Sequence, residues 1–136
     1  MSTSEPDVND VARVAEFRAA LRKFLRKSER TARASGLTPQ RHLLLLMIKG
    51  APDNTEQSTV TELAERLQLA QSTVTELVRR AEEAGLIERE ASTTDGRVAH
   101  LRLSPEGERR LMRSFTQLET ERRELRDAFA HLDDSV

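Results

Sequence analysis

The 136-residue chain has no cysteine, no tryptophan and no tyrosine. Without cysteine there can be no disulfide, thiolate nucleophile, thiol redox sensor or cysteine-based zinc site. Aromatic residues make up 3% of the chain, all four of them phenylalanine, too few for a stacking platform for single-stranded nucleic acid. Long apolar runs are missing as well: the longest, 43–48, is far too short to span a bilayer. The leading MSTSEPDVND is acidic and polar, with no apolar segment of the signal-peptide kind, so a cytoplasmic protein without membrane association is expected. There is no Gly-rich phosphate loop and no nucleophile motif, and the carboxylates fall on polar helix and strand positions, so no enzyme is expected. His42, His100 and His131 lack the close spacing of zinc ligands, and no metal or other cofactor is expected.

Excess charge of either sign is absent too. The net charge is −1, with 33% charged and 37% hydrophobic residues. The distribution is uneven: residues 1–50 hold ten cationic against five anionic side chains, and the remainder holds twelve against eighteen. Global electrostatic attraction therefore gives no argument for a polyanionic partner, and any such argument must rest on pattern. The length suits one domain with a real core, and the polarity suits amphipathic helices or a chain that buries more on dimerising.

What is present is a set of periodic segments. Over 7–34, Val11, Val14, Phe17, Leu21, Phe24 and Leu25 form one stripe at helical spacing, closed by Gly36 as a C′ residue. This stripe needs a partner, either the C-terminal helix of the same chain or a second chain. Thr38 and Pro39 suit the N-cap and first position of a helix running to 49, whose LLLLMI run reads as apolar all round and hence as a central buried helix. A helix over 61–67, with Leu63, Ala64 and Leu67 inward, and another over 71–84, with Val74, Leu77, Val78 and Ala81 inward, flank the turn 68–70. Gly85 stops the second. The hexapeptide STVTEL occurs at 58–63 and again at 72–77, and reads as two similar helix starts. Strand-like runs follow at 86–90 and 98–103, around a polar tip at 91–97. Ser104 and Pro105 then open a last helix, read as one piece to about His131 or as kinked near Thr120, with Leu111, Phe115, Leu118, Arg122, Leu125, Phe129 and Leu132 as a heptad seam broken once by Arg122.

Helix, tight turn, helix and β-hairpin is the order of a winged helix-turn-helix. The fold class expected is mostly α with a small β-wing (α+β). The second helix turns Gln71, Ser72, Thr73, Thr75, Glu76, Arg79 and Arg80 outward: short hydrogen-bonding side chains first, then arginines. Such a face suits a major groove, where base edges are read by polar side chains and phosphates by charge. Glu76 is either an acceptor for a cytosine amino group or an intrahelical partner of Arg79 or Arg80.

The segments GLTPQRHLLLLMIKG, TVTELAERLQLAQSTVTELVRRAEEAGLIER and DGRVAHLRLSPEGERRL, in this order and spacing, resemble the MarR family of winged-helix transcription regulators over nearly the whole chain. The resemblance implies a single domain, 1–136, with dimerisation helices at 7–36 and 104–132. It implies a winged helix-turn-helix lobe at 38–103, in which 61–84 is the helix-turn-helix and 86–103 the wing. It further implies a homodimeric regulator, in most members a repressor, on a pseudo-palindromic operator in double-stranded DNA. The DNA-facing set would be Thr61, Gln71, Ser72, Thr73, Thr75, Glu76 and Arg79, with Arg89, Thr94, Asp95 and Arg97 in the wing. Many members respond to a small aromatic or anionic effector in the cleft below the dimer helices, which here would involve Phe17, His42 and Met47. The chain departs from the family pattern at Gln68 and Ala70 in the turn, at Glu76 where arginine is common, and in a C-terminal region that reads as one helix where many members have two. A winged-helix module that binds protein instead of DNA is the competing expectation.

Overall fold

A computed structural model describes residues 5–91 and 98–133. The elements are α1 (Val8–Ala34), α2 (Pro39–Lys49), α3 (Val60–Leu67), α4 (Gln71–Glu83), β1 (Ile87–Ala91), β2 (Ala99–Leu103), α5 (Pro105–Gln117) and α6 (Glu119–His131). Mostly helix with one two-stranded antiparallel sheet, this is the winged-helix architecture the pattern calls for. Wing-tip residues Thr94, Asp95 and Arg97 lie outside the described residues.

Local chemistry explains most boundaries. The Asp7 carboxylate accepts from the Asn9 N–H at 3.0 Å to start α1, and Thr38 Oγ1 accepts from the Arg41 N–H at 3.2 Å to start α2. Gly36, at φ +77°, lets the Leu37 N–H return to the Ala32 carbonyl at 2.9 Å and close α1. Ser104 Oγ accepts from the Gly107 N–H at 3.0 Å and donates to the Gly85 carbonyl at 2.6 Å, tying the start of α5 to the entrance of the wing. Gly107 has to be glycine, since a Cβ there would stand 2.1 Å from the Leu86 carbonyl oxygen.

The core gathers Leu44, Leu45 and Ile48 of α2, Leu63 of α3, Val74, Val78 and Ala81 of α4, Leu86, Leu101 of β2 and Leu111 of α5. Each large aliphatic side chain fully buried here contributes about 1.5–3 kcal/mol of transfer free energy. The hairpin pairs Ile87 with Leu103 and Arg89 with Leu101. Leu101 also exchanges both backbone bonds with Ser58, so the segment before α3 forms a short third edge.

Three expectations need correction. First, α2 is not buried all round: Leu43 is 41% exposed, because the groove between α2, α1 and α5 is left open on that side. Second, the C-terminal helix is two helices, broken at Leu118 (φ −102°, ψ 10°), whose N–H bonds back only three residues, to the Phe115 carbonyl. Arg122, the interruption in the seam, supplies the compensation: its guanidinium donates to that same Phe115 carbonyl and stacks 3.7 Å from the Phe115 ring centroid. Third, the two STVTEL copies are not equivalent helix starts. Thr59 caps α3, whereas α4 begins at Gln71 behind Ala70 and the second copy lies wholly inside it.

Of the two open partners for α1, the chain's own α6 is one. Phe17 meets Phe129 edge-on at 6.0 Å, Lys27 pairs with Glu121 at 2.6 Å and Lys23 with Glu124 at 3.1 Å. This covers only part of the stripe. Val8 is 80% exposed, Val11 58% and Phe129 64%, an apolar surface that α6 leaves open.

Candidate nucleic-acid interface

Burial of one face of α4 decides what the other face offers. Val74, Val78 and Ala81 are fully buried against α2 and α3, which turns Ser72, Thr73, Thr75, Arg79 and Arg80 to solvent. None of the three hydroxyls has a hydrogen-bond partner among the described residues. The helix also starts without a side-chain cap: Ala70 provides only its carbonyl, to the Val74 N–H at 3.1 Å. The first-turn N–H groups of α4 therefore have no capping side chain among the described residues, and an uncapped helix N-terminus attracts an anion.

The turn before it is held from both sides. Gln68 takes the left-handed conformation (φ 57°) and ends α3, its side chain donating to the Glu65 carbonyl at 2.6 Å. Gln71 Nε2 donates to Thr61 Oγ1 at 3.3 Å, which links the exposed starts of α3 and α4. Under α3, the Arg66 guanidinium donates to the Met47 carbonyl at 2.9 Å and so fixes α3 on α2.

The charged end of α4 is internally paired. Glu76 accepts from Arg79 at 2.9 and 2.5 Å and from Arg80 at 3.0 Å, and Arg79 also pairs with Glu83. The Arg79 guanidinium, with help from Arg80, holds the Glu76 carboxyl down at about 2, and Glu76 in turn raises Arg79. Arg89, on β1, pairs with Glu82 at 2.7 Å, which raises its pKa and ties the wing to α4.

The MarR family model matches residues 35–98, from the end of α1 into the wing and short of β2. The winged-helix lobe short of β2 is thus similar to the MarR family. No curated protein matches it in sequence. Solved structures similar to this chain include the YusO protein from Bacillus subtilis (27% identity, TM-score 0.61, 76% of this chain and 70% of that one) and the transcriptional regulator Tm0710 from Thermotoga maritima (25% identity, TM-score 0.66, 79% and 73%). A mutant MarR from E. coli complexed with operator DNA shares the fold (21% identity, TM-score 0.64, 79% and 75%).

The structure brings Thr61, Gln71, Ser72, Thr73, Thr75, Glu76 and Arg79 onto one exposed region, with Arg89 beside it through Glu82. It does not bring Phe17, His42 and Met47 together. His42 lines a cavity of about 260 Å³ with Phe24, Leu25, Leu43, Leu46 and Phe115, and burial lowers its pKa. Phe17 lines a separate shallow groove with Leu125 and Phe129, and Met47 packs against the core. Arg80 belongs with the expected set on geometry, and its place four residues after Glu76 was a readable signal. Arg122 lines both the cavity and the groove, and nothing in its spacing marked it for that place.

Proposed function

We propose that the chain is a sequence-specific double-stranded DNA-binding transcriptional repressor, working in the cytoplasm as a homodimer on a pseudo-palindromic operator. The observation that carries this is the exposed first half of α4, with Ser72, Thr73 and Thr75 unpartnered among the described residues behind an uncapped helix start. A helix so presented enters a major groove, its hydroxyls meeting base edges and its first N–H groups a phosphate. The similar fold of a MarR mutant complexed with operator DNA supports DNA as the partner.

The open apolar surface of Val8, Val11 and Phe129 supports dimerisation through the chain ends. Two copies would set their α4 helices into successive major grooves about 34 Å apart, with Arg97 in each flanking minor groove. The cavity beside His42, apolar and under the terminal helices, suits a small aromatic or anionic effector that changes the angle between lobes. One observation favours a second reading, a protein-binding winged helix: the arginines of α4 are neutralised by its own carboxylates.

Selection of bound sequences from a random duplex pool, followed by affinity at several salt concentrations, separates the two. A two-fold-symmetric consensus whose affinity falls steeply with salt supports the repressor reading, and absence of duplex binding at low salt sinks it.

A further inference from the structure

Every arginine that α4 could offer to a phosphate already has a carboxylate. Glu76 Oε2 accepts from Arg79 Nε at 2.9 Å, and Glu76 Oε1 accepts from Arg79 Nη2 at 2.5 Å and from Arg80 Nε at 3.0 Å. Arg79 Nη1 donates to Glu83 besides, and Glu82 holds Arg89 of the wing. Within α4 three carboxylates thus stand against two guanidiniums. Glu76 follows Ser72 by one helical turn and precedes Arg80 by one, so it lies on the face that would enter the groove.

We infer that Glu76 is a specificity-determining residue that withholds Arg79 and Arg80 from phosphates and releases them only where a base edge gives its carboxylate an amino donor. This rests on the DNA-binding reading above. When Arg79 and Arg80 swing to phosphates, Glu76 is left ionised and facing a polyanion, and an unpaired carboxylate removed from water is costly. The cost is relieved opposite the N4 amino group of cytosine, a donor that glutamate accepts from in the major groove. It is not relieved opposite guanine or thymine, whose major-groove polar atoms are acceptors, and it is relieved less opposite adenine, whose N6 donor stands beside the N7 acceptor that repels a carboxylate. The exchange is feasible because exposed pairs at three- and four-residue spacing are individually weak. Random DNA offers phosphates everywhere but the matched amino group only by chance, so Glu76 depresses random binding more than operator binding.

The test compares full-length wild type with Glu76→Gln and Glu83→Gln, each checked for unchanged helix content. Their affinities are read by fluorescence anisotropy on a random-sequence duplex and on the best duplex from the selected pool, between 50 and 200 mM salt. Glu76→Gln should tighten random-duplex binding about tenfold at the low-salt end and steepen the logarithmic salt slope by roughly 0.9 for each arginine released. It should also lose the preference for cytosine at one base pair of the half-site. Glu83→Gln, which frees only one side of Arg79, should steepen the slope less and keep that preference. A Glu76→Gln protein whose random-duplex affinity and half-site preference both equal the wild type's overturns the inference alone. Failure of wild type and both variants to bind any duplex at 50 mM salt overturns the DNA-binding reading and this inference with it. Random-duplex binding by Glu76→Gln where wild type binds none supports the withholding role.

Discussion

The hexapeptide at 58–63 and its copy at 72–77 are identical in sequence and different in use. In the first, Thr59 Oγ1 accepts from the Glu62 N–H at 3.2 Å while Glu62 Oε1 accepts from the Thr59 N–H at 3.0 Å, a reciprocal capping box. In the second, the same threonine and glutamate are Thr73 and Glu76, already inside α4, and neither caps anything. Thr73 faces solvent and Glu76 binds Arg79 and Arg80, whereas Arg66, four residues after Glu62, donates to the Met47 carbonyl instead. Helix starts are thus set by the surroundings of the hexapeptide. Ser58 is held in backbone pairing with Leu101, which delays α3 to Val60, while the turn at Gln68 lets α4 begin at Gln71. One copy spends its polar groups on the fold, and the other leaves them for a partner.

The strongest way to break that comparison is at the matched leucines. Leu63 is fully buried in the core, and Leu63→Ala should lower unfolding free energy by about 3–4 kcal/mol. Leu77, only half-buried, should cost about half as much in urea unfolding. Equal losses would mean that the two copies are equally built into the core. Next in size is a control outside both copies. Arg97→Ala should weaken operator binding by about 1–3 kcal/mol without changing stability. An unchanged affinity and salt slope in a titration would remove the wing from the interface.

The matched threonines sharpen the contrast further. Thr59→Ala should reduce stability by about 1 kcal/mol through loss of its cap. Thr73→Ala should leave the melting temperature in place and reduce operator affinity. The opposite assignment of effects in paired melting and binding curves would invert the account. The smallest effect acts on the support that both copies share. His42 lies on α2, against which α3 and α4 both pack, and burial holds its pKa below the usual 6.5. The unfolded chain therefore takes up the proton first, so stability should fall as pH drops through about 6.5 and level off once the folded state is protonated too. His42→Gln should flatten that part of a melting-temperature profile.

Much of the fold was legible because the signals were local. Thr38-Pro39, Ser104-Pro105 and Gly85 mark helix ends through groups within a few residues of one another, and the inward sets of α3 and α4 follow from periodicity alone. The T-x-x-E box at Thr59 was equally local but was masked by the repeat, which invited one reading for two sites. The break at Leu118 was not legible, because no proline or glycine marks it and it is stabilised by Arg122 reaching back seven residues to a carbonyl. Nor was the exposure of Leu43, which depends on how α1 and α5 leave a groove beside α2. In the candidate site, residue identity and facing were readable. The pairing of Glu76 with Arg79 or Arg80 was one of two alternatives read there, whereas the added pairing of Arg79 with Glu83 was not legible, since several carboxylates stood within reach at helical spacing.

The central claim is that α4 keeps its helix start and hydroxyl face open for DNA while α3 closes its own. Backbone amide exchange, measured with and without the duplex selected from the random pool, tests it at single residues. The Ser72 and Thr73 amides, uncapped in the free protein, should gain protection on binding, while the Glu62 amide, already bonded to Thr59, should not change. Bound duplex with no new protection in the first turn of α4, or with protection confined to α3, would contradict the account.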